Sequence, residues 1–114
     1  MNCTVIVEAQ AEARAMIAVL VLDGFAVGEV KNRIELWHRM YRKDMPLNGI
    51  VIAENDRRTV ESIRVSFPDI KLVVLTQDRG LLPPSNHVLL LEPDSWASEL
   101  EGLRRFLSQG LPSG

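Results

Sequence analysis

Pro68-Asp69-Ile70-Lys71-Leu72-Val73-Val74-Leu75-Thr76 is the stretch whose reading decides the fold. Pro68-Asp69 makes a turn, and Ile70 to Thr76 is the clearest strand in the chain, rich in β-branched and aliphatic residues. A nearly continuous apolar run, without polar alternation, is the pattern of a strand covered on both faces, as in parallel sheets. Four more such runs lie around it. They are Cys3-Thr-Val-Ile-Val-Glu8, a weaker Phe25 to Val30 broken by Gly28, Leu47-Asn-Gly-Ile-Val-Ile-Ala53, and His87-Val-Leu-Leu-Leu91.

Helical patterns separate the strands. Ala11 to Asp23 is rich in Ala, Leu and Met, with Gly24 at the natural stopping position. Lys31 to Lys43 reads as an amphipathic helix stopped by Pro46, with Ile34, Trp37 and Tyr41 on one side and Lys31, Glu35, Arg39 and Arg42 on another. Asn55 or Asp56 caps a helix running to about Phe67, with Val60, Ile63 and Phe67 inward. Asp94 or Ser95 caps a last helix carrying Trp96, Leu100, Leu103 and Leu107 at helical spacing. Gln77 to Asn86 holds Gly80 and Pro83-Pro84, which argues against a full helix there. The expectation is an α/β three-layer sandwich with a five-stranded parallel sheet, a (βα)5 order whose fourth helix is short or missing.

The composition agrees. The chain has 114 residues, 46% hydrophobic and 25% charged, which suits one globular domain. Residues 1–108 are read as that domain and 109–114 as a linker or disordered tail, the domain being cut from a longer protein. Thirteen Lys and Arg against 15 Asp and Glu leave a net charge of −2, so nucleic-acid binding is not expected of the domain itself. The longest apolar run, Ala15 to Leu22, is far shorter than the ~20 residues of a spanning helix, and no signal peptide is visible. With Cys3 as the single cysteine, a cytoplasmic location is expected, with no membrane partner, no disulfide and no cysteine-based zinc site.

In parallel α/β sheets ligands sit beyond the carboxyl ends of the strands. The positions to inspect are therefore Glu8 to Gln10, Ala53 to Asn55, Thr76 to Asp78, and Glu92 with Pro93. Glu8-Ala-Gln-Ala11 has none of the glycines a dinucleotide-binding turn needs, and no P-loop occurs anywhere. Cys3 and His87 open their strands at the opposite edge, and His38 lies on a charged helix. No nucleophile, base and acid converge, so no catalytic residue, cofactor or metal ligand is assigned and enzymatic activity is not expected.

These strand ends resemble those of response-regulator receiver domains, a flavodoxin/CheY-like family. The resemblance rests on Val5-Ile-Val-Glu8-Ala9-Gln10 with Arg14 beyond it, on Gly24-Phe25-Ala-Val27, on Pro68 to Thr76, and on Leu89-Leu-Leu-Glu92-Pro93. It covers about the whole chain and lies in order and spacing more than in any one motif. It implies a phosphoryl acceptor at the end of the third strand, Mg²⁺ held there and by an acidic pair after the first strand, a hydroxyl residue after the fourth and a Lys after the fifth.

Here the acidic pair is Glu8 and Ala9, the acceptor position is Ala53, or Glu54 if the strand shifts by one, and the Lys position is Glu92. Only Thr76 keeps its expected type. Ala9 offers Mg²⁺ no oxygen, and Glu92 would repel a phosphate. Glu54 reads as a solvated carboxylate in preference to a mimic of a phosphorylated residue, and Glu8 as pairing with a cation such as Arg57 or capping a helix.

The function expected is that of an atypical receiver domain acting through protein contact, as the regulatory or dimerising end of a signalling protein such as a transcriptional regulator. Its partner would be another protein, an output domain or a second copy in a homodimer. The first helix, apolar all round, would present some of Met16, Val19, Leu20 and Leu22 as an interface; tight burial of these residues is the alternative. A different class remains open, a small nucleotide- or ligand-binding module on a flavodoxin-like scaffold. A third reading is nucleic-acid contact through Lys31, Arg33, His38, Arg39, Arg42 and Lys43 of the second helix.

Overall fold

Strands Thr4–Glu8 (β1), Ala26–Val30 (β2), Gly49–Ala53 (β3), Lys71–Leu75 (β4) and Val88–Leu91 (β5) form one sheet in the computed structural model, which describes residues 4–8, 11–42, 47–83 and 85–108. All pairings between strands are parallel, in the order β2-β1-β3-β4-β5. The expected α/β sandwich is therefore present. The strand order reverses between β1 and β3, so the ends of these two strands open a crevice.

Among the described residues four α-helices cover the sheet: Ala11–Leu22 (α1), Arg33–Tyr41 (α2), Arg57–Ser66 (α3) and Leu100–Ser108 (α4), the last entered through a 3₁₀ turn at Trp96–Glu99. Alternate residues of each strand serve opposite faces, as the pleat requires. Val5, Val7, Val51, Val73, Leu75 and Leu91 pack with α1 and α4, through Met16, Leu20, Leu103, Phe106 and Leu107. Ile6, Ile50, Ile52, Leu72, Val74 and Val88 pack with α2 and α3, through Leu36, Met40, Val60 and Ile63. Trp96 is buried in the first of these cores.

The helix expected to be short or missing has no helical turn among the described residues between β4 and β5. Leu81 and Leu82, both buried, fill part of its place on the α2–α3 face. Prolines and Gly80 forbid a long helix, and the two leucines replace it only in part: Leu89 and Leu90 of β5 stay half-buried, beside a cleft of about 310 Å³.

Two faces differ from the sequence reading. On α2 the inward residues are Leu36 and Met40, whereas Ile34 and Tyr41 are exposed and Trp37 is half-buried. Trp37 instead stacks on Tyr41 at 5.9 Å between ring centroids and meets Phe67 at 5.5 Å. This aromatic cluster joins α2 to the end of α3 at the rim of the core, with Trp37 and Phe67 packed against it and Tyr41 left exposed. The helix is also shorter than expected, with Arg42 as its C-cap, and Lys43 and Pro46 lie outside the described residues.

On α1, Met16 and Leu20 are fully buried and Val19 is half-buried, so the first two form no part of an exposed interface. Leu22, 86% exposed, and Val21 are the large apolar residues that the described part of this helix leaves in water. Gly24 closes α1 at φ 91°. Its N–H donates to the Val21 carbonyl while that of Phe25 donates to Leu20, both at 3.1 Å. That pair of hydrogen bonds, with Phe25 packed in the same core as Leu20, is a Schellman stop, and the left-handed φ is why glycine stands there. No helix among the described residues is long and apolar enough to cross a membrane.

Candidate functional site

The carboxyl ends of β1 and β3 bring Glu8 and Glu54 together beside the first residue of α2. Asn32 caps that helix, its side-chain oxygen accepting from the Glu35 N–H at 2.9 Å, while the Glu35 carboxylate accepts from the Lys31 N–H at 3.1 Å. The cap fixes the entry of α2 and places Arg33 over the sheet edge. Arg33 Nε donates to Glu8 Oε2 at 2.7 Å and Nη2 to Glu8 Oε1 at 3.1 Å, a bidentate pair. Nη1 donates to Glu54 Oε1 at 3.1 Å. Glu8 is only 2% exposed, and Arg33 and Glu54 are about a quarter exposed, at 25% and 24%.

The hydrogen bonds it donates to Glu8, with smaller help from Glu54, hold the Arg33 guanidinium above its ordinary range, so it stays charged. Glu54 Oε2 accepts the backbone N–H groups of Asn55 and Asp56, both at 3.1 Å. Asp56 in turn caps α3, accepting from the Arg58 N–H and from the Thr59 hydroxyl. The Thr59 hydroxyl, ahead of the backbone contacts, holds the Asp56 carboxyl below its usual range.

Thr76, buried after β4, donates through its hydroxyl to Asn55 Oδ1 at 2.6 Å and accepts the Asp78 N–H at 3.1 Å. Glu92, after β5, pairs with Arg79 at 3.2 Å and receives the Ser95 hydroxyl at 3.3 Å. Arg79 also reaches Glu99 at 3.0 Å, and that carboxylate, with Glu92, holds its guanidinium above the ordinary range. Ala53 and Glu54, with Asn55, Leu75, Gln77, Asp78 and Pro93, line an open cleft of about 810 Å³ beside this corner.

The structure thus brings together Glu8 and Glu54, with Thr76 joined to Asn55, the residue after Glu54. Glu92 is drawn to the loop that follows β4 instead. Ala9 and Cys3 lie outside the described residues, as does the 109–114 segment. The cation paired with Glu8 is Arg33, not Arg57, which pairs with Glu61 four residues along α3 at 2.9 Å. His38 and His87 are exposed. Arg33 is the residue that reading the sequence by element left among surface cations. One signal was available: a cation in the first turn of a helix opposes the helix dipole, so something else must hold it there.

The chain superposes on the crystal structure of a response regulator from Thermotoga maritima with a TM-score of 0.65 and 25% identity, over 96% of this chain and 100% of that one. The fold is receiver-like. No protein-family model matches the chain, and no curated protein sequence matches it significantly.

A receiver-like corner raises the question of Mg²⁺, which takes hard oxygen ligands in near-octahedral geometry. Both Glu8 oxygens and one of Glu54 face guanidinium N–H groups, and the other Glu54 oxygen is held by two backbone donors. No group of three His, Cys, Asp or Glu side chains among the described residues is placed to hold a metal. As arranged, this donor set does not fit a divalent cation.

Proposed function

We propose that this receiver-like domain is an atypical receiver, a signalling module that works through protein contact and without accepting a phosphoryl group. It would serve as the regulatory end of a longer protein, by homodimerisation or by docking an output domain such as that of a transcriptional regulator. The observation that carries the reading is Arg33 lying between Glu8 and Glu54, where phosphoryl transfer would need a metal. Three features support it. β3 ends in Ala53, the residue after β5 is an acid already paired with Arg79, and Thr76 is engaged with Asn55. The exposed Leu22 and Val21 at the end of α1 and the Trp37–Tyr41–Phe67 cluster are the apolar surfaces such contact would use.

Incubation with acetyl phosphate and Mg²⁺, followed by intact-mass measurement, is expected to leave the chain's mass unchanged. A stable acyl phosphate would overturn the reading. Sedimentation at rising concentration is expected to show self-association or, if the partner is an output domain, a monomer that associates only when that domain is added.

The cleft of about 810 Å³ at the strand ends favours one second reading, a small-ligand module. Its acidic lining, Glu54 and Asp78, disfavours phosphate-bearing ligands. A melting-temperature screen against nucleotides, flavins and cyclic dinucleotides is therefore expected to give no shift, and a saturable rise with any of them would favour the ligand reading.

A further inference from the structure

A carboxylate as buried as that of Glu8 must be neutralised or matched by a counter-charge. The chain supplies the counter-charge itself. Arg33 directs three separate nitrogens at three carboxylate oxygens, two of Glu8 and one of Glu54. A planar guanidinium suits this arrangement because its donors diverge in a fixed fork. The remaining Glu54 oxygen is satisfied internally as well, by accepting the N–H groups of Asn55 and Asp56. Arg33 is the first residue of α2, so the same contacts fasten that helix to the ends of β1 and β3.

We propose that Arg33 is a resident counter-ion that occupies the place of a divalent metal between Glu8 and Glu54 and keeps the corner metal-free. The corner then holds one arrangement at any magnesium concentration, because its cation is covalently part of α2 and cannot dissociate. This goes beyond the contact reading and does not depend on it: its readout is metal affinity, whereas the contact reading is tested by acyl phosphate and sedimentation.

The test is calorimetric titration of the folded chain with MgCl2 and MnCl2 at constant ionic strength, beside Arg33→Ala. The native chain is expected to give no saturable heat and to melt at the same temperature in EDTA as in excess Mg²⁺. Arg33→Ala uncovers two carboxylates, and at least about a tenfold gain in divalent affinity is expected. Should that variant not fold, Arg33→Gln, which leaves a neutral amide in the gap, is measured in its place with the same expectation. Saturable binding to the native chain at the variant's affinity would overturn the proposal. So would a folded variant, verified by circular dichroism, that gains no affinity.

Discussion

Arg33→Met is expected to lower the unfolding free energy by about 2–3 kcal/mol, because it strips the counter-charge from a buried carboxylate. Breaking a fully buried pair costs roughly 3–5 kcal/mol, and this loss is smaller because Arg33 keeps a quarter of its side chain in water. For a domain of this size that is a fall of about 10 °C in melting temperature. Glu8→Leu alone should cost less, since Arg33 retains Glu54 as a partner. The double variant Arg33→Met with Glu8→Leu is expected to recover most of the loss, ending within about 1 kcal/mol of the native chain, because an apolar pair of similar volume needs no counter-charge. Urea denaturation of the four proteins forms a double-mutant cycle. Additive losses, with no recovery in the double variant, would mean that the two side chains are not coupled and that the corner is not held by this pair.

Leu20→Ala is the second large effect. Leu20 is fully buried in the core on the α1 face of the sheet, so truncation should cost about 2–5 kcal/mol through lost burial and a cavity that closes only in part. Leu22→Ala, two residues on and almost wholly exposed, should change monomer stability by no more than about 0.5 kcal/mol. The pair separates core from interface. If Leu20 served a dimer surface, its truncation would spare the monomer and make the denaturation midpoint depend on protein concentration. A midpoint that falls sharply at every concentration is the expected result.

Most of the scaffold was legible in the residues. Apolar runs of four to seven separated by helical patterns leave a parallel sheet as the packing that buries both strand faces. Gly24 marked the end of α1, and Pro83 and Pro84 with Gly80 marked the gap between β4 and β5. The faces of the helices were less legible. α1 is apolar all round, so periodicity could not say that Met16 and Leu20 go in and Leu22 out. On α2 the aromatic and aliphatic residues Ile34, Trp37 and Tyr41 form the more hydrophobic stripe, yet Leu36 and Met40 are the ones buried, because the direction in which the helix docks on β1 and β2 decides the face.

By itself, then, the amino-acid order determined the sheet, the number of strands, the shortened β4–β5 connection and the residue types at each strand end, because these follow from local hydrophobicity, turn chemistry and spacing. Only the tertiary structure decided that Arg33, 25 residues from Glu8 and 21 from Glu54, would be their shared cation. Charge pairing across such separations has no periodic trace in a sequence. It depends on the reversal of strand order that sets β1 beside β3 and on the cap at Asn32 that aims the first turn of α2 at their ends.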